Sequence, residues 1–147
     1  MALNSARHRA RQFALQGLYG WLLAGGDCAA IAGRLKSSPG YGHADEAYFL
    51  ELLQGTTGSA GALRAQFEPA IDRPLADLSP VEHSILLIAT YELVHRPEIP
   101  HKVVINEAIE LAKDFGGSEG FRYVNGVLDK LAARIRADEA GAGRPVR

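Results

Sequence analysis

Two groups of side chains in this sequence have types and spacings suited to recognition chemistry. Around Gly116-Gly117 stand Phe115, Glu119, Arg122 and Tyr123; Glu119 lies three residues before Arg122 and four before Tyr123, so on a helix these side chains share one surface. Near the other end of the chain, Arg7, Arg9 and Arg11 all precede the first acidic residue, Asp27. Single-stranded RNA is read by arginines on phosphates, by aromatic or guanidinium planes on unpaired bases, and by carboxylates accepting from base edges. Both groups supply those types. Phe115 also falls on the apolar stripe of its helix, so a core role competes with a contact role there; Arg122 and Tyr123 are less easily absorbed into a core.

The net charge of -1 excludes a generally basic nucleic-acid binder but not a local basic patch. Arg7 and Arg11 share a helical face and Arg9 points roughly opposite, an arrangement that a wrapping strand can follow and a flat acidic surface cannot. A solvated helix start is the plain alternative. Cations at a helix N-terminus oppose the macrodipole, however, so the cluster costs stability and invites a functional reason. Because the arginines come before the first core stripe is complete, replacing all three by alanine is expected to leave the fold intact.

Catalytic chemistry finds no such support. The histidines at 8, 43, 83, 95 and 101 form no HxxxH or HExxH pair, and no nucleophile elbow, phosphate loop or dinucleotide glycine fingerprint occurs. Glu107 and Glu110 are helix neighbours of the ordinary solvated kind. Cys28 stands alone and cannot form an internal disulfide. No cofactor, no metal and no enzyme activity are expected.

The elements that must position these groups are helices. At 147 residues, with 47% hydrophobic and 22% charged residues, the chain suits one soluble domain. No apolar run approaches the ~20 residues of a membrane helix and no signal-peptide pattern opens the chain, so a cytoplasmic location is expected. Asn4 or Ser5 can cap a first helix to about Ala24, with Ala10, Ala14, Gly17, Leu18 and Trp21 along one side and Gly25-Gly26 ending it. Asp27 can cap a short helix to about Leu35, followed by the plain loop SSPGYG. His43 to Gly55 reads as a helix with Ala47, Leu50 and Leu53 inward, and Gly58 to Phe67 as its glycine-broken continuation. PAIDRPLADL is a connector. Ser79-Pro80-Val81-Glu82 has the spacing of a capping box, starting a helix that runs to about His95 and is apolar around most of its circumference, hence central.

Pro100 then starts a run in which Val104, Ile105, Ala108, Ile109 and Ala112 form one stripe. Gly116-Gly117 can end it, Ser118 can cap the next start, and Phe121, Val124, Leu128, Leu131 and Ile135 form a second stripe. The result is a helical hairpin with the aromatic and charged cluster at its turn. After Ile135 the periodicity is lost, which predicts a frayed end and a mobile tail.

The strings VINEAIELAKDFGG and FRYVNGVLDKLA, preceded by LSPVEHSILLIATYEL and opened by RHRARQFALQGLYGW, resemble the NusB family of transcription antitermination factors. The resemblance implies an all-α protein of two small helical bundles sharing a central helix, about seven helices in all. Residues 1–137 would be one NusB-like RNA-binding domain and 138–147 a flexible tail. It further implies RNA contacts from Arg7, His8, Arg9, Arg11, Phe115, Glu119, Arg122 and Tyr123, and partner contacts from Tyr19 and Glu82. The implied partners are boxA-type single-stranded RNA, the ribosomal small-subunit protein NusE, and a transcription elongation complex containing RNA polymerase and other Nus factors. His8 stands where the family usually has a basic residue, and Gly120-Phe121 replaces a frequent Ser-His. Two other readings remain open: a protein adaptor with no RNA contact of its own, and a stand-alone relative of the NusB-like domain attached to RNA methyltransferases.

Overall fold

In the computed structural model, the backbone is described over residues 2–115 and 120–142, and side chains over 5–115 and 120–139. Among the described residues the chain is all-α, as expected, with eight α-helices, three 3-10 turns and no strand. It divides into two compact units, one up to Ala60 and one from Gly61 on.

The first unit packs α1 (Ala2–Ala24), α2 (Cys28–Leu35) and α3 (Glu46–Gly58). Helix α1 is already under way at Ala2, so Ser5 lies inside it rather than at a cap. Ala10, Ala14 and Leu18 are fully buried on the expected side. Gly17 is there for proximity: a Cβ at that position would meet Leu53 Cδ1 at 2.9 Å and Ile31 Cγ2 at 3.2 Å. Gly25 and Gly26, at φ 70° and 115°, take the left-handed backbone that ends α1, and Asp27 caps α2 by accepting from the Ala30 N–H at 3.1 Å.

The SSPGYG loop contributes more than a connection. Tyr41 starts a 3-10 turn (Tyr41–His43) and is buried edge-to-face against Phe13 and Phe49, with ring centroids 5.4 and 5.6 Å away. Helix α3 starts at Glu46, later than expected, because the Asp45 carboxylate accepts from the Tyr48 N–H at 3.1 Å. Its buried face is Tyr48, Phe49, Leu52, Leu53 and Thr56, whereas Ala47 is exposed and Leu50 half-buried. Only Leu53 of the expected inward set is fully buried: two aromatic rings outweigh one alanine in apolar area, and the helix is rolled to bury them.

The second unit is built on α5 (Pro80–His95), reached through α4 (Ala60–Phe67) and two 3-10 turns, Glu68–Ala70 and Leu75–Asp77. The capping box is present: Ser79 Oγ accepts from the Glu82 N–H at 3.1 Å and the Ser79 N–H donates to Glu82 Oε1 at 3.2 Å. Every residue from Ser84 to Thr90 is buried, as the all-round apolar pattern of α5 requires. Helices α6 (His101–Phe115) and α7 (Gly120–Ile135) pack on each other and on α5. Val104, Ile105, Ala108 and Ala112 of the expected α6 stripe and Val124, Leu128 and Leu131 of the expected α7 stripe are buried, but Ile109, Phe121 and Ile135 are only half-buried and Leu111, Val127 and Ala132 complete the two faces instead. The expected stop at Gly116-Gly117, the cap at Ser118 and the site residue Glu119 lie outside the described residues.

Among the described residues, those from Arg136 to Glu139 are tied to the second unit rather than frayed. Arg136 is buried, and its guanidinium donates to the carbonyls of Leu93 (2.9 Å), Ile99 (2.9 Å), Arg96 (3.0 Å) and Glu92 (3.3 Å) and to Glu139 Oε1 (2.6 Å). These carbonyls belong to the last turn of α5 and the loop after it; those of Glu92 and Arg96 also accept from the Arg96 and Ile99 N–H groups, at 3.0 Å each. Glu139, on a short helix α8 (Ala137–Ala142), also accepts from the His101 N–H at 2.7 Å and so holds the start of α6. A long-range arginine clamp of this kind leaves no periodic trace in sequence. Replacing Arg136 by Met should therefore cost about 3–5 kcal/mol in chemical denaturation, because the Leu93 and Ile99 carbonyls lose this donor and Glu139 loses its ion-pair partner. A loss within about 0.5 kcal/mol, as for an ordinary surface change, would show that the clamp contributes little.

Two contacts in this unit are acid-sensitive. Arg64 Nε donates to His83 Nε2 at 3.0 Å, and burial, reinforced by the Arg64 charge, lowers the imidazole from 6.5 to about 4. Burial alone would raise Glu139, but the backbone and ring of His101 together with Arg136 outweigh it and bring the carboxyl from 4.5 down to about 2. In both cases the folded state takes up the proton less readily than the unfolded chain. Stability should thus fall as pH drops from 6.5 toward about 4 through His83, and again from 4.5 toward about 2 through Glu139. Urea midpoints measured against pH check this: His83→Gln should flatten the upper window and leave the lower one, and an unchanged upper window would contradict it.

Candidate nucleic-acid interface

The expected site residues fall in both units: Arg7, His8, Arg9, Arg11 and Tyr19 in the first, and Glu82, Phe115, Arg122 and Tyr123 in the second. Each group is tied into its unit by contacts that its spacing alone does not show.

On α1 the arginines divide by face, as their spacing requires. Arg7 and Arg11 both turn toward Tyr48 of α3, with guanidinium carbons 4.1 and 5.5 Å from the ring centroid. Arg11 is only 3% exposed and Arg7 half-buried. A guanidinium held over an aromatic face is stabilised by the ring quadrupole and keeps its plane ordered. Arg9 is exposed on the other side, where its Nη1 would lie 3.4 Å from a Cβ at Gly40. His8 is half-buried between the two faces. The three arginines are therefore not one removable surface patch: Arg11 belongs to the packing of the first unit. Farther along α1, Tyr19 is 40% exposed and Leu23, four residues on, is 62% exposed, leaving an apolar strip toward solvent.

At the α6–α7 end of the second unit, Phe115 closes α6 with 36% of its surface exposed and so lies outside the buried core. Phe121 at the start of α7 is half-buried and is approached by two cations, Lys113 Nζ at 5.3 Å and the Arg122 guanidinium at 5.7 Å from its centroid. Arg122 itself is exposed. Tyr123 differs from the expectation of an open aromatic: it is half-buried, and Arg73 lies over its ring at 3.9 Å. Burial raises the Tyr123 hydroxyl above its ordinary value; Arg73 opposes this, and Asp72 and Glu82 add to it, which places that hydroxyl in the field of the capped start of α5. Glu82 is half-buried and engaged in the capping box through one carboxylate oxygen.

Sequence reasoning missed Tyr48, Lys113 and Arg73. Lys113 stands among the polar residues of a regular helix, and Arg73 sits in a proline-flanked connector with no periodicity; neither position has a local signal. Among the described residues no group of three or more His, Cys, Asp or Glu side chains could hold a metal ion, and no helix is long and apolar enough to cross a membrane. The arrangement offers cations, aromatic planes and an exposed apolar strip, which is recognition chemistry.

The NusB family model matches residues 8–133. The chain is similar to the transcription antitermination protein NusB of Bordetella pertussis, 56% identical over 143 residues that cover 95% of this chain and 93% of that one. It is likewise 56% identical over 141 residues to NusB of Ralstonia nicotianae, covering 96% and 91% of the two chains. A solved structure of T. maritima NusB superposes with a TM-score of 0.69 at 27% identity, over 86% of this chain and 89% of that one.

The split among the arginines has a direct consequence. Arg9→Ala should leave stability within about 0.5 kcal/mol of the parent, as at an ordinary exposed position. Arg11→Ala should lower it by about 2 kcal/mol, through lost contact with the Tyr48 ring and an unfilled buried site. Equal melting of the two variants would contradict the assignment of Arg11 to the core.

Proposed function

The chain belongs to the NusB family of transcription antitermination proteins, a non-enzymatic regulatory family, and on that premise we propose that it binds boxA-type single-stranded RNA jointly with NusE. The observation that carries this reading is identity above one half over nearly the full length of both chains. The task is to hold nascent RNA and a ribosomal protein together so that RNA polymerase passes terminators, notably in ribosomal RNA operons. The setting is the cytoplasm, in an elongation complex with other Nus factors.

In this reading the cations act first. Arg9 meets phosphate directly, and Arg7 offers the edge of a guanidinium whose plane rests on Tyr48. At the hairpin, exposed Phe115 and Arg122 supply the planes that unpaired bases stack on. Tyr19, exposed on α1, and Glu82 face the protein partner; the Glu82 cap and its partner contact are compatible because the cap uses one carboxylate oxygen. NusE and RNA then raise one another's affinity, since each binds the surface that the other helps to complete. One observation favours the adaptor alternative: with Arg11 buried, the arginine end offers fewer cations than its sequence suggests.

Titration of a fluorescent boxA-type RNA across a salt series, with and without NusE, separates the two. RNA affinity should rise when NusE is present, and Arg9→Ala should flatten the slope of log affinity against log salt by about 0.7, on boxA-type and scrambled RNA alike. RNA affinity that is negligible in the presence of NusE, with NusE itself still bound, would leave an adaptor.

A further inference from the structure

Arg73 lies outside every stretch that the functional reading uses, yet it covers one face of Tyr123. Its guanidinium carbon lies over the ring, 3.9 Å from the centroid, which leaves no room for a base between them. The side chain is nonetheless 37% exposed, so part of it meets solvent. Asp72, 70% exposed, lies 3.3 Å from Arg73 Nε and offsets the charge at the inner edge of the guanidinium. The half-buried Tyr123 therefore cannot receive a base on the face that Arg73 occupies, and a planar cation is presented there instead.

Resting on the RNA-binding reading above, we propose that Arg73 is an RNA-contacting residue, stacking an unpaired base on its outer face while Tyr123 beneath it acts as a positioning residue. The physics favours a guanidinium for this. It is planar and weakly hydrated, it stacks on aromatic faces and on bases alike, and once held on Tyr123 it loses little further freedom on binding. A lysine at this position would keep the charge and lose the plane. Because Asp72 already pairs with Arg73, the contact works through the plane and makes a small contribution to salt dependence.

The test uses the full chain with NusE and a boxA-type RNA in which single bases are replaced in turn by 2-aminopurine. The parental protein should alter the fluorescence of one substituted base by stacking. Arg73→Lys, at an exposed position, should fold as the parent does, abolish that change and weaken RNA binding by on the order of tenfold with an unchanged salt slope. Tyr123→Phe keeps the ring and should behave as the parent; Tyr123→Leu removes it and should reproduce the Arg73→Lys defect, with circular dichroism confirming the fold. If Arg73→Lys binds with parental affinity and fluorescence, the guanidinium plane is not used and the proposal is overturned, while RNA binding by the parent keeps the functional reading standing. If the parent with NusE has no RNA affinity, the functional reading falls and this proposal falls with it.

Discussion

The second unit depends on one unusual closure, the buried guanidinium of Arg136 inside the carbonyls that end α5. An α-helix that is apolar on all sides can be surrounded by neighbours, but its terminal N–H and C=O groups must still be satisfied. At the start of α5 the sequence solves this locally, with Ser79 and Glu82. At the end it solves it from more than 40 residues away: Arg136 reaches back to Glu92 and Leu93 and, through Glu139, fixes the first N–H of α6. The closure thus sets where α6 begins against where α7 ends. Phe115 lies at the far end of α6, and Arg122 and Tyr123 near the start of α7.

The cations of the candidate interface other than Arg9 share a second constraint. Arg7 and Arg11 rest on Tyr48, Lys113 and Arg122 flank Phe121, and Arg73 covers Tyr123. Long basic side chains ordinarily lose about 2 kcal/mol of rotamer entropy when a ligand fixes them. Holding them on aromatic faces spends part of that cost during folding, so less of it opposes binding. The cost on the folding side is that some cations cease to be independent of the core, as the burial of Arg11 shows.

What the sequence made legible were local, periodic or end-specific features. The left-handed glycines after α1, the Asp27 cap, the Ser79–Glu82 box and most of the α6 and α7 stripes stand where spacing places them. Features that depend on a distant partner were not legible. The face of α3 depends on Phe13 and Tyr41, and the openness of Tyr123 depends on Arg73. The burial of Arg136 depends on carbonyls of α5 and its following loop. In the candidate site the same rule held: residue types and the split of Arg9 from Arg7 and Arg11 could be read from helical geometry, while the depth of Arg11 could not.

The central claim is that RNA is bound by cations that the fold displays, and not by those it uses to close itself. The side-chain Nε–Hε resonances of the arginines in the chain, followed by NMR during titration with boxA-type RNA in the presence of NusE, report on both sets at once. The account predicts shifts for Arg9 and Arg73 that saturate with RNA, while Arg136 keeps its position throughout. Saturable RNA binding that leaves Arg9 and Arg73 unmoved would contradict it.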